Sequence, residues 1–256
     1  YEATAKRAKE LGVSLRSAKY CISGAMALPA STVELWESVS GGLLVEGYGM
    51  TEASPVCLGN PFAPSRRSGT IGVPFPSTHM KVVDPEDPTR EVAQGERGEL
   101  LIKGPQVFQG YWHNEEETDK TLLPDHWLRT GDIVTVDEDG FTSIVDRVKE
   151  LIITGGFNVA PSEVEAVLLT HPGVRDVAVV GMPDPARGES VVAALVLEPD
   201  TTVDLDMVRR WAYDKLSHYA VPRSIAVLDD LPRSQIGKVM LAFASAHFRS
   251  AARRTR

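Results

Sequence analysis

The stretch LLVEGYGMTEASP, residues 43–55, joins an apolar run to a cluster of polar side chains. The apolar start predicts a buried strand, which ends at a Gly-aromatic-Gly sequence. Gly49 allows the backbone to approach a ligand closely, and the ring of Tyr48 offers a flat face to a planar group. Thr51 can donate to a phosphate oxygen, and the Glu52 carboxylate can hold Mg²⁺. The pattern suits a nucleotide with its metal; a strand-to-loop turn around a core tyrosine is the structural alternative.

Composition and charge restrict the class of function. The chain has 256 residues, enough for one large domain or two smaller ones. Its net charge of −8 argues against a nucleic-acid partner, which requires a broad basic face. No apolar run reaches the roughly 20 residues that cross a bilayer, so no transmembrane segment is predicted. Cys21 and Cys57 stand beside apolar residues without metal spacing, which favours a reduced, cytoplasmic setting.

The first part of the chain is predicted to be a mixed α/β domain that becomes β-rich after the opening motif. The predicted elements are a helix that ends near Gly12, a strand over residues 14–23, a helix over 29–39 with Pro29 in its first turn, a strand over 43–49, strands over 77–84 and 98–104, and a hairpin over 133–146 closed by residues 138–140.

The pattern changes at the polar segment DRVK, residues 146–149. We expect residues 1–146 to form one domain, 147–150 a hinge, and 151–256 a small α+β domain. The predicted elements of this domain are a strand in ELIITGG, a helix from Pro161 with Val164, Val167 and Leu168 on one face, strands over 174–182 and 191–198, a helix capped by Asp204 with the stripe Leu205, Val208, Ala212 and Leu216, a strand over 224–231, and a helix after Lys238.

Two further motifs offer groups for a ribose. In WLRTGDIV, residues 127–134, Asp132 follows a glycine turn, and its carboxylate can accept hydrogen bonds from both ribose hydroxyls. In DRVKELIITGGFNVAPSEVE, residues 146–165, Arg147 can donate to the same ribose. Each motif alone is equally an ordinary glycine turn.

One of the remaining motifs could accommodate a slender ligand, and the other could supply a mobile positive charge. Gly155 and Gly156 can let such a ligand pass close to the backbone. In LPRSQIGKVM, residues 231–240, Lys238 can neutralise charge that develops as a phosphorus and a carboxylate combine. A phosphate-cradling G-x-x-x-x-G-K motif is excluded, because Pro232 occupies the first glycine position.

Taken together, in this order and at these intervals, the motifs resemble the adenylate-forming superfamily of acyl-CoA synthetases, firefly-luciferase-like enzymes and nonribosomal-peptide adenylation domains. EGYGMTE, RTGD, DRVKELIITGGFNVAPSEVE, GMPDPARGE and LPRSQIGK are most similar to the acyl-CoA ligase branch. The resemblance runs from ISGAMALP at residues 22–29 through Lys238. It implies the fold class α/β and α+β: the C-terminal part of a large AMP-binding domain, α/β with a β-barrel-like subdomain, followed by a small mobile domain.

The resemblance implies a two-step reaction. A carboxylate attacks the α-phosphate of Mg·ATP, which gives an acyl-adenylate and pyrophosphate. The thiol of coenzyme A then attacks the activated carbonyl and releases AMP. ATP, Mg²⁺, coenzyme A and a small carboxylic acid are therefore the expected ligands, and the resemblance allows a homodimer.

The resemblance also implies a role for each motif residue. The expected nucleotide-binding residues are Gly24 and Ala25, which line the adenine and acyl pocket, Tyr48 with Gly49 at the adenine, Thr51 at the α-phosphate, Asp132 and Arg147 at the ribose, and Ile144 along the nucleoside. Glu52 would hold the metal, and Lys238 would be the lysine of adenylate formation. Lys149 would lie in the hinge on which the small domain swings, with Gly155 and Gly156 beside the pantetheine passage.

The sequence departs from the family pattern in ways that limit these expectations. No Ser/Thr/Gly-rich phosphate loop ending in Pro-Lys-Gly is present, and the first residue is Tyr1, so we expect the chain to be a fragment that makes no acyl-adenylate alone. Ala220 stands where a lysine is common, and VMLAFASAHF follows Lys238, which leaves contacts to coenzyme A open. The small and apolar groups near the motifs favour fatty or aromatic acids. An adenylation domain that loads a carrier protein and a non-catalytic nucleotide-binding remnant are the alternatives.

Overall fold

The computed structural model describes residues 1–25 and 28–233. By its internal contacts the chain divides into two units, an N-terminal unit over Tyr1–Ile144 and a C-terminal unit that begins at Val145. Among the described residues, no helix combines the length and the apolar character that a membrane span needs.

The first half of the N-terminal unit is a four-stranded sheet with two helices. Its elements are α1 (Glu2–Leu11), β1 (Tyr20–Ser23), α2 (Ala30–Ser40), β2 (Leu43–Gly49), β3 (Val56–Gly59) and β4 (Val73–Pro74), with the strands in the order β1-β2-β3-β4. β1 and β2 are parallel, as expected for strands joined by a helix, and the other pairs are antiparallel. Helix α1 ends where Gly12 adopts a left-handed conformation with φ of 65°.

The second half of this unit is a five-stranded antiparallel sheet. It contains β5 (His79–Val83), β6 (Gly98–Lys103), α3 (Glu115–Thr121), β7 (Leu122–Leu123), β8 (Trp127–Val136) and β9 (Thr142–Arg147), in the order β5-β6-β8-β7 with β9 also on β8. The predicted hairpin is present, and Gly140 lies in its turn with φ of 85°.

The C-terminal unit is a five-stranded sheet with helices. Its elements are β10 (Ile152–Thr154), β11 (Phe157–Val159), α4 (Pro161–Leu169), β12 (Val174–Asp184), β13 (Gly188–Leu197), α5 (Leu205–Ala212) and β14 (Ser224–Val227), in the order β11-β10-β13-β12 with β14 on β13. Alternate residues of β12 and β13 belong to two separate apolar clusters, one of which includes α4 and α5. Burial on both faces explains why these strands read as nearly continuous apolar runs.

The mixed α/β architecture agrees with the fold class expected from the sequence, but four local predictions were wrong. Asp132, predicted to follow a glycine turn, lies inside β8, where the register against β6 shifts. Residues 14–19 form a turn, with the Ala18 N–H on the Leu15 carbonyl at 2.9 Å, because only Tyr20–Ser23 finds paired residues on β2. Pro29 precedes α2 as its N-cap with an extended ψ of 137°, and is not in the first turn. α5 ends at Ala212, before Leu216, which a following turn still places in the core. The helix predicted after Lys238 lies outside the described residues.

Candidate functional site

The loop after β2 is closed by the chain's own packing. The Met50 N–H donates to the Pro55 carbonyl at 2.8 Å, around a single 3₁₀ turn over Thr51–Ala53. A Cβ on Gly49 would lie 1.8 Å from that same carbonyl oxygen. Glycine at this position is therefore required by backbone packing within the loop, whereas the sequence interpretation assigned it to the approach of a ligand. Thr51 is exposed on the outside of the turn.

Tyr48 joins the first two motifs. Its ring is only 8% exposed and packs in the apolar core of the N-terminal unit, beside Cys57 and Leu100. Its hydroxyl donates a hydrogen bond to the carboxylate of Asp132, 84 residues later in the chain. Burial, together with the adjacent carboxylate, raises the pKa of Tyr48, and burial raises the pKa of Cys57 to about 12. The role of Tyr48 at adenine stays a prediction.

Asp132 is itself buried, at 5% exposure on β8. The Thr130 hydroxyl connects it to the neighbouring strand: this oxygen accepts from the Asp132 N–H at 3.1 Å and donates to the Leu100 carbonyl at 2.8 Å. Asp132 is thus held at its backbone through Thr130 and at its carboxylate by the Tyr48 hydroxyl.

A buried ion pair fastens the same segment of β8 to β6. The carboxylate of Glu99, 1% exposed, accepts from Arg129 Nε at 3.0 Å and from the Gly131 N–H at 3.2 Å. Sequence analysis missed both charged partners. The available signal was a glutamate inside the apolar strand GELLIKG, because a charge inside a buried strand requires a partner.

Glu52 is positioned by Tyr111, which sequence analysis also missed. The Tyr111 hydroxyl donates to Glu52 Oε1 at 2.7 Å, and the Glu52 carbonyl accepts from the Phe108 N–H at 2.8 Å. Burial and the bond to this carboxylate raise the pKa of Tyr111. Within residues 1–25 and 28–233, no group of three His, Cys, Asp or Glu side chains can enclose a metal. A single carboxylate still fits Mg²⁺, which usually binds one or two carboxylates together with phosphates and water.

The residues after β1 lie next to the opening motif. Ser23 pairs with Glu46, so Gly24 follows beside Gly47, and a Cβ on Gly24 would lie 3.2 Å from the Gly47 carbonyl. Ala25 has φ of 69°, an uncommon conformation for a residue with a side chain. The structure thus brings ISGA and EGYG to the same edge of the first sheet.

The remaining predicted residues are placed as follows. Ile144 lies on β9 with its side chain 44% exposed. Arg147, which ends β9, and Lys149, inside the 3₁₀ turn Val148–Glu150, are exposed. Lys238 lies outside the described residues.

Gly155 and Gly156 form the two-residue turn between β10 and β11. Their φ values of 60° and 83° are both positive, as a type I′ hairpin turn requires. No atom of the described residues lies within 4 Å of a Cβ built on either one. The turn alone explains why glycines stand here, and their role beside a pantetheine passage stays a prediction.

Two family models match the chain. The model for AMP-binding enzymes matches residues 2–112, and the model for the C-terminal domain of AMP-binding enzymes matches residues 163–238. Together they cover most of both units.

Curated relatives and solved structures are similar over most of this chain. A long-chain-fatty-acid–CoA ligase of Bacillus subtilis is 43% identical over 227 residues, which are 88% of this chain and 40% of the relative. The mitochondrial malonate–CoA ligase ACSF3 of Bos taurus is 37% identical over 85% of this chain and 40% of its own. ATP-bound MatB from Rhodopseudomonas palustris has a TM-score of 0.80 at 36% identity, over 89% of this chain and 45% of that one.

An anthranilate–CoA ligase, AuaEII, solved with anthranoyl-AMP, has a TM-score of 0.73 at 32% identity, over 94% of this chain and 47% of that one. The chain thus spans less than half the length of the relatives and structures described above.

Proposed function

Since the chain belongs to the AMP-binding, adenylate-forming enzyme family, on its acyl-CoA synthetase branch, we propose that the protein of which it forms part is an AMP-forming acid–thiol ligase. It activates a carboxylic acid with Mg·ATP and transfers the acyl group to coenzyme A. The chain supplies one part of the nucleotide site and the small domain. Residues that would cradle the β- and γ-phosphates are not in this sequence, so the chain alone is expected to be inactive.

The observation that carries the proposal is the hydrogen bond from Tyr48 to Asp132. It joins two motifs that have no local reason to meet. Both side chains are buried, and the neighbouring residues 129–131 of β8 are fastened to β6 by Glu99. A rigidly held carboxylate next to a glycine is suited to the vicinal hydroxyls of a ribose.

The neighbouring residues supply the groups that adenylation requires. Thr51, which is exposed, is proposed to donate to the α-phosphate, and Glu52 to hold Mg²⁺ with the orientation set by Tyr111. Bound Mg²⁺ supplies positive charge against the phosphate oxygens. Gly24, Ala25 and Ile144 are proposed to line the nucleoside and acyl pocket, and Arg147 to donate to the ribose. Lys238 is proposed to neutralise charge as the carboxylate attacks, and the small domain to swing about Lys149 so that pantetheine can enter beside Gly155 and Gly156.

A fatty acid is the proposed substrate class. Several of the similar curated relatives are named long-chain-fatty-acid–CoA ligases. The malonate–CoA and anthranilate–CoA ligases show that similar chains occur in ligases of other acids. An aromatic acid is therefore the second class to be tested.

The test uses the full-length protein with a panel of carboxylic acids. Acid-dependent ATP–pyrophosphate exchange and coenzyme A-dependent release of AMP are expected, with the highest kcat/KM for a fatty acid. Release of AMP that depends on the thiol of a carrier protein and not on coenzyme A would favour the carrier-loading alternative. Absence of exchange with every acid would overturn the proposal.

Two variants test the assigned roles. Glu52→Gln is expected to raise the Mg²⁺ concentration needed for half-maximal exchange, whereas Glu138→Gln, an exposed glutamate of the same unit, is the matched control. Lys238→Ala is expected to lose exchange while it still forms thioester from a supplied acyl-adenylate. Full exchange activity in Lys238→Ala would remove that role.

A further inference from the structure

Helix α4 begins without a cap of its own. The residue before it is Ala160, whose methyl group accepts no hydrogen bond, and Pro161 occupies its first position. The first N–H groups of a helix have no partner within the helix and are commonly satisfied by a polar side chain at the N-cap. α4 therefore takes this partner from water or from elsewhere in the chain.

Asp146 supplies that partner from sixteen residues upstream of Ser162. Its Oδ2 accepts from the Ser162 N–H at 3.1 Å, and its Oδ1 accepts from the Arg147 N–H at 2.8 Å. The Ser162 hydroxyl donates back to the Val145 carbonyl at 2.6 Å. The carboxylate is 6% exposed, so it is shielded from competition by water. Residues 145–146 are in this way tied to the first turn of α4 by reciprocal hydrogen bonds.

The proposed hinge lies inside this tie. Residues 147–150 stand in the chain between the two partners, and they form one 3₁₀ turn, with the Leu151 N–H on the Arg147 carbonyl at 3.1 Å. A rotation about backbone bonds of this turn moves α4 relative to Asp146. Hydrogen bonds of this kind break when donor and acceptor move apart by more than a small distance. The bonds between residues 145–146 and Ser162 can therefore form in one conformation of the hinge but not after a large rotation about it.

We propose that Asp146 and Ser162 form a latch on the hinge. The latch stabilises the conformation of residues 145–162 in which these hydrogen bonds form, and it opens when the small domain swings between the two half-reactions. Asp146 is then a positioning residue, which acts through the hinge and contacts no reacting atom. This inference rests on the proposed function, because it requires a ligase with two half-reactions.

The chain contains a matched control for a merely structural cap. Asp204 caps α5 within the same unit, where its Oδ1 accepts from the Met207 N–H at 2.8 Å. Both carboxylates cap a short helix of the C-terminal unit, but only Asp146 is adjacent to the proposed hinge. If the ratio of the two half-reaction rates changes on replacement of Asp146 but not of Asp204, the change is due to the latch and not to the loss of a helix cap.

The experiment uses the full-length protein and the variants Asp146→Asn, Ser162→Ala and Asp204→Asn. An asparagine has one acceptor oxygen, so Asp146→Asn must give up either the Ser162 or the Arg147 bond. The two half-reactions are measured separately, as ATP–pyrophosphate exchange and as thioester formation from supplied acyl-adenylate. The ratio of the two rates is expected to change about fivefold in Asp146→Asn, the factor that corresponds to a typical cap. It should change in the same direction in Ser162→Ala, and stay within about twofold in Asp204→Asn.

Hydrogen exchange at the Ser162 amide gives a second readout, independent of turnover. Protection of this amide is expected to differ between the protein saturated with a non-hydrolysable acyl-adenylate analogue and the protein with that analogue plus coenzyme A. The latch would be overturned if the Ser162 amide were equally protected in the two ligand states. It would also be overturned if Asp146→Asn slowed the two half-reactions by the same factor. Either result would place the pivot before Val145. Absence of both half-reactions in the unmodified protein would instead overturn the proposed function.

Discussion

Replacement of Glu165 by glutamine should make the C-terminal unit more stable at neutral pH. This glutamate lies on α4 with its carboxylate facing β12, where Oε1 accepts from the Val179 N–H at 2.8 Å. Burial, which is the largest cause, and the nearby carboxylates of Asp146, Glu150 and Asp176 raise its pKa to about 7, against the lowering effect of the hydrogen bond from the Val179 N–H. The folded unit therefore favours the protonated, neutral form.

The magnitude follows from the distance between the folded pKa and the ordinary value of 4.5. Between pH 4.5 and about 7, the folded unit binds a proton that the unfolded chain has lost, so its free energy of unfolding falls as pH rises. At 1.36 kcal/mol per pH unit, the loss is about 3 kcal/mol and is complete above pH 7. Glutamine removes this cost because it carries no charge, and its carbonyl oxygen can still accept from Val179.

The 256-residue chain is unfolded in urea at pH 4.5, 6 and 8. Unfolding of the C-terminal unit is monitored by hydrogen exchange of the β12 and β13 amides, and the exchange rates are corrected for the intrinsic rate at each pH. Glu165→Gln is expected to match the unmodified chain at pH 4.5 and to exceed it by about 3 kcal/mol at pH 8. Glu163→Gln, exposed on the same helix, is the control. If stability fell equally with pH between 4.5 and 7 in Glu165→Gln and in the unmodified chain, Glu165 would not be the group responsible.

Three further substitutions test the N-terminal unit, each by urea unfolding followed at β2 and β8. Tyr48→Phe removes the donor to buried Asp132 and should cost about 2 kcal/mol. Gly49→Ala forces a methyl group against the Pro55 carbonyl and should cost about 3 kcal/mol, through a shift of the loop. Glu99→Gln removes the charge from a buried ion pair and should cost about 3 kcal/mol, because the cation left behind has lost its counter-charge.

Each of these has a control in the same unit that lacks the feature in question. Tyr20→Phe alters a tyrosine that is 70% exposed, Gly104→Ala meets only the flexible side chain of Gln106, and Glu138→Gln changes an exposed carboxylate. All three should change stability by less than about 0.5 kcal/mol. A test substitution that costs no more than its control would contradict the contact on which it rests.

Features set within one helical turn or one hairpin were predictable from the sequence. Gly12 ends α1, Asp204 caps α5, and the Gly155-Gly156 pair makes the turn that its composition indicates. The apolar runs of β12 and β13 likewise identified strands buried on both faces. Each of these features depends on residues a few positions apart, so a short stretch of sequence is enough to predict it. The exception, residues 14–19, shows that strand propensity fails where no partner strand is within reach.

Linear patterns along the chain predicted which residues carry chemistry, because the motifs and the family they resemble can be recognised without the fold. Which of these residues meet became visible in the folded chain alone. The bond from Tyr48 to Asp132, the ion pair of Glu99 and the cap that Asp146 gives to α4 all join distant segments. Such contacts depend on strand order and on where each chain reversal ends, which no local periodicity specifies. Which distant segments pair depends on how the whole unit buries its apolar residues. The pairs can therefore be identified in the folded molecule but not from a short stretch of sequence.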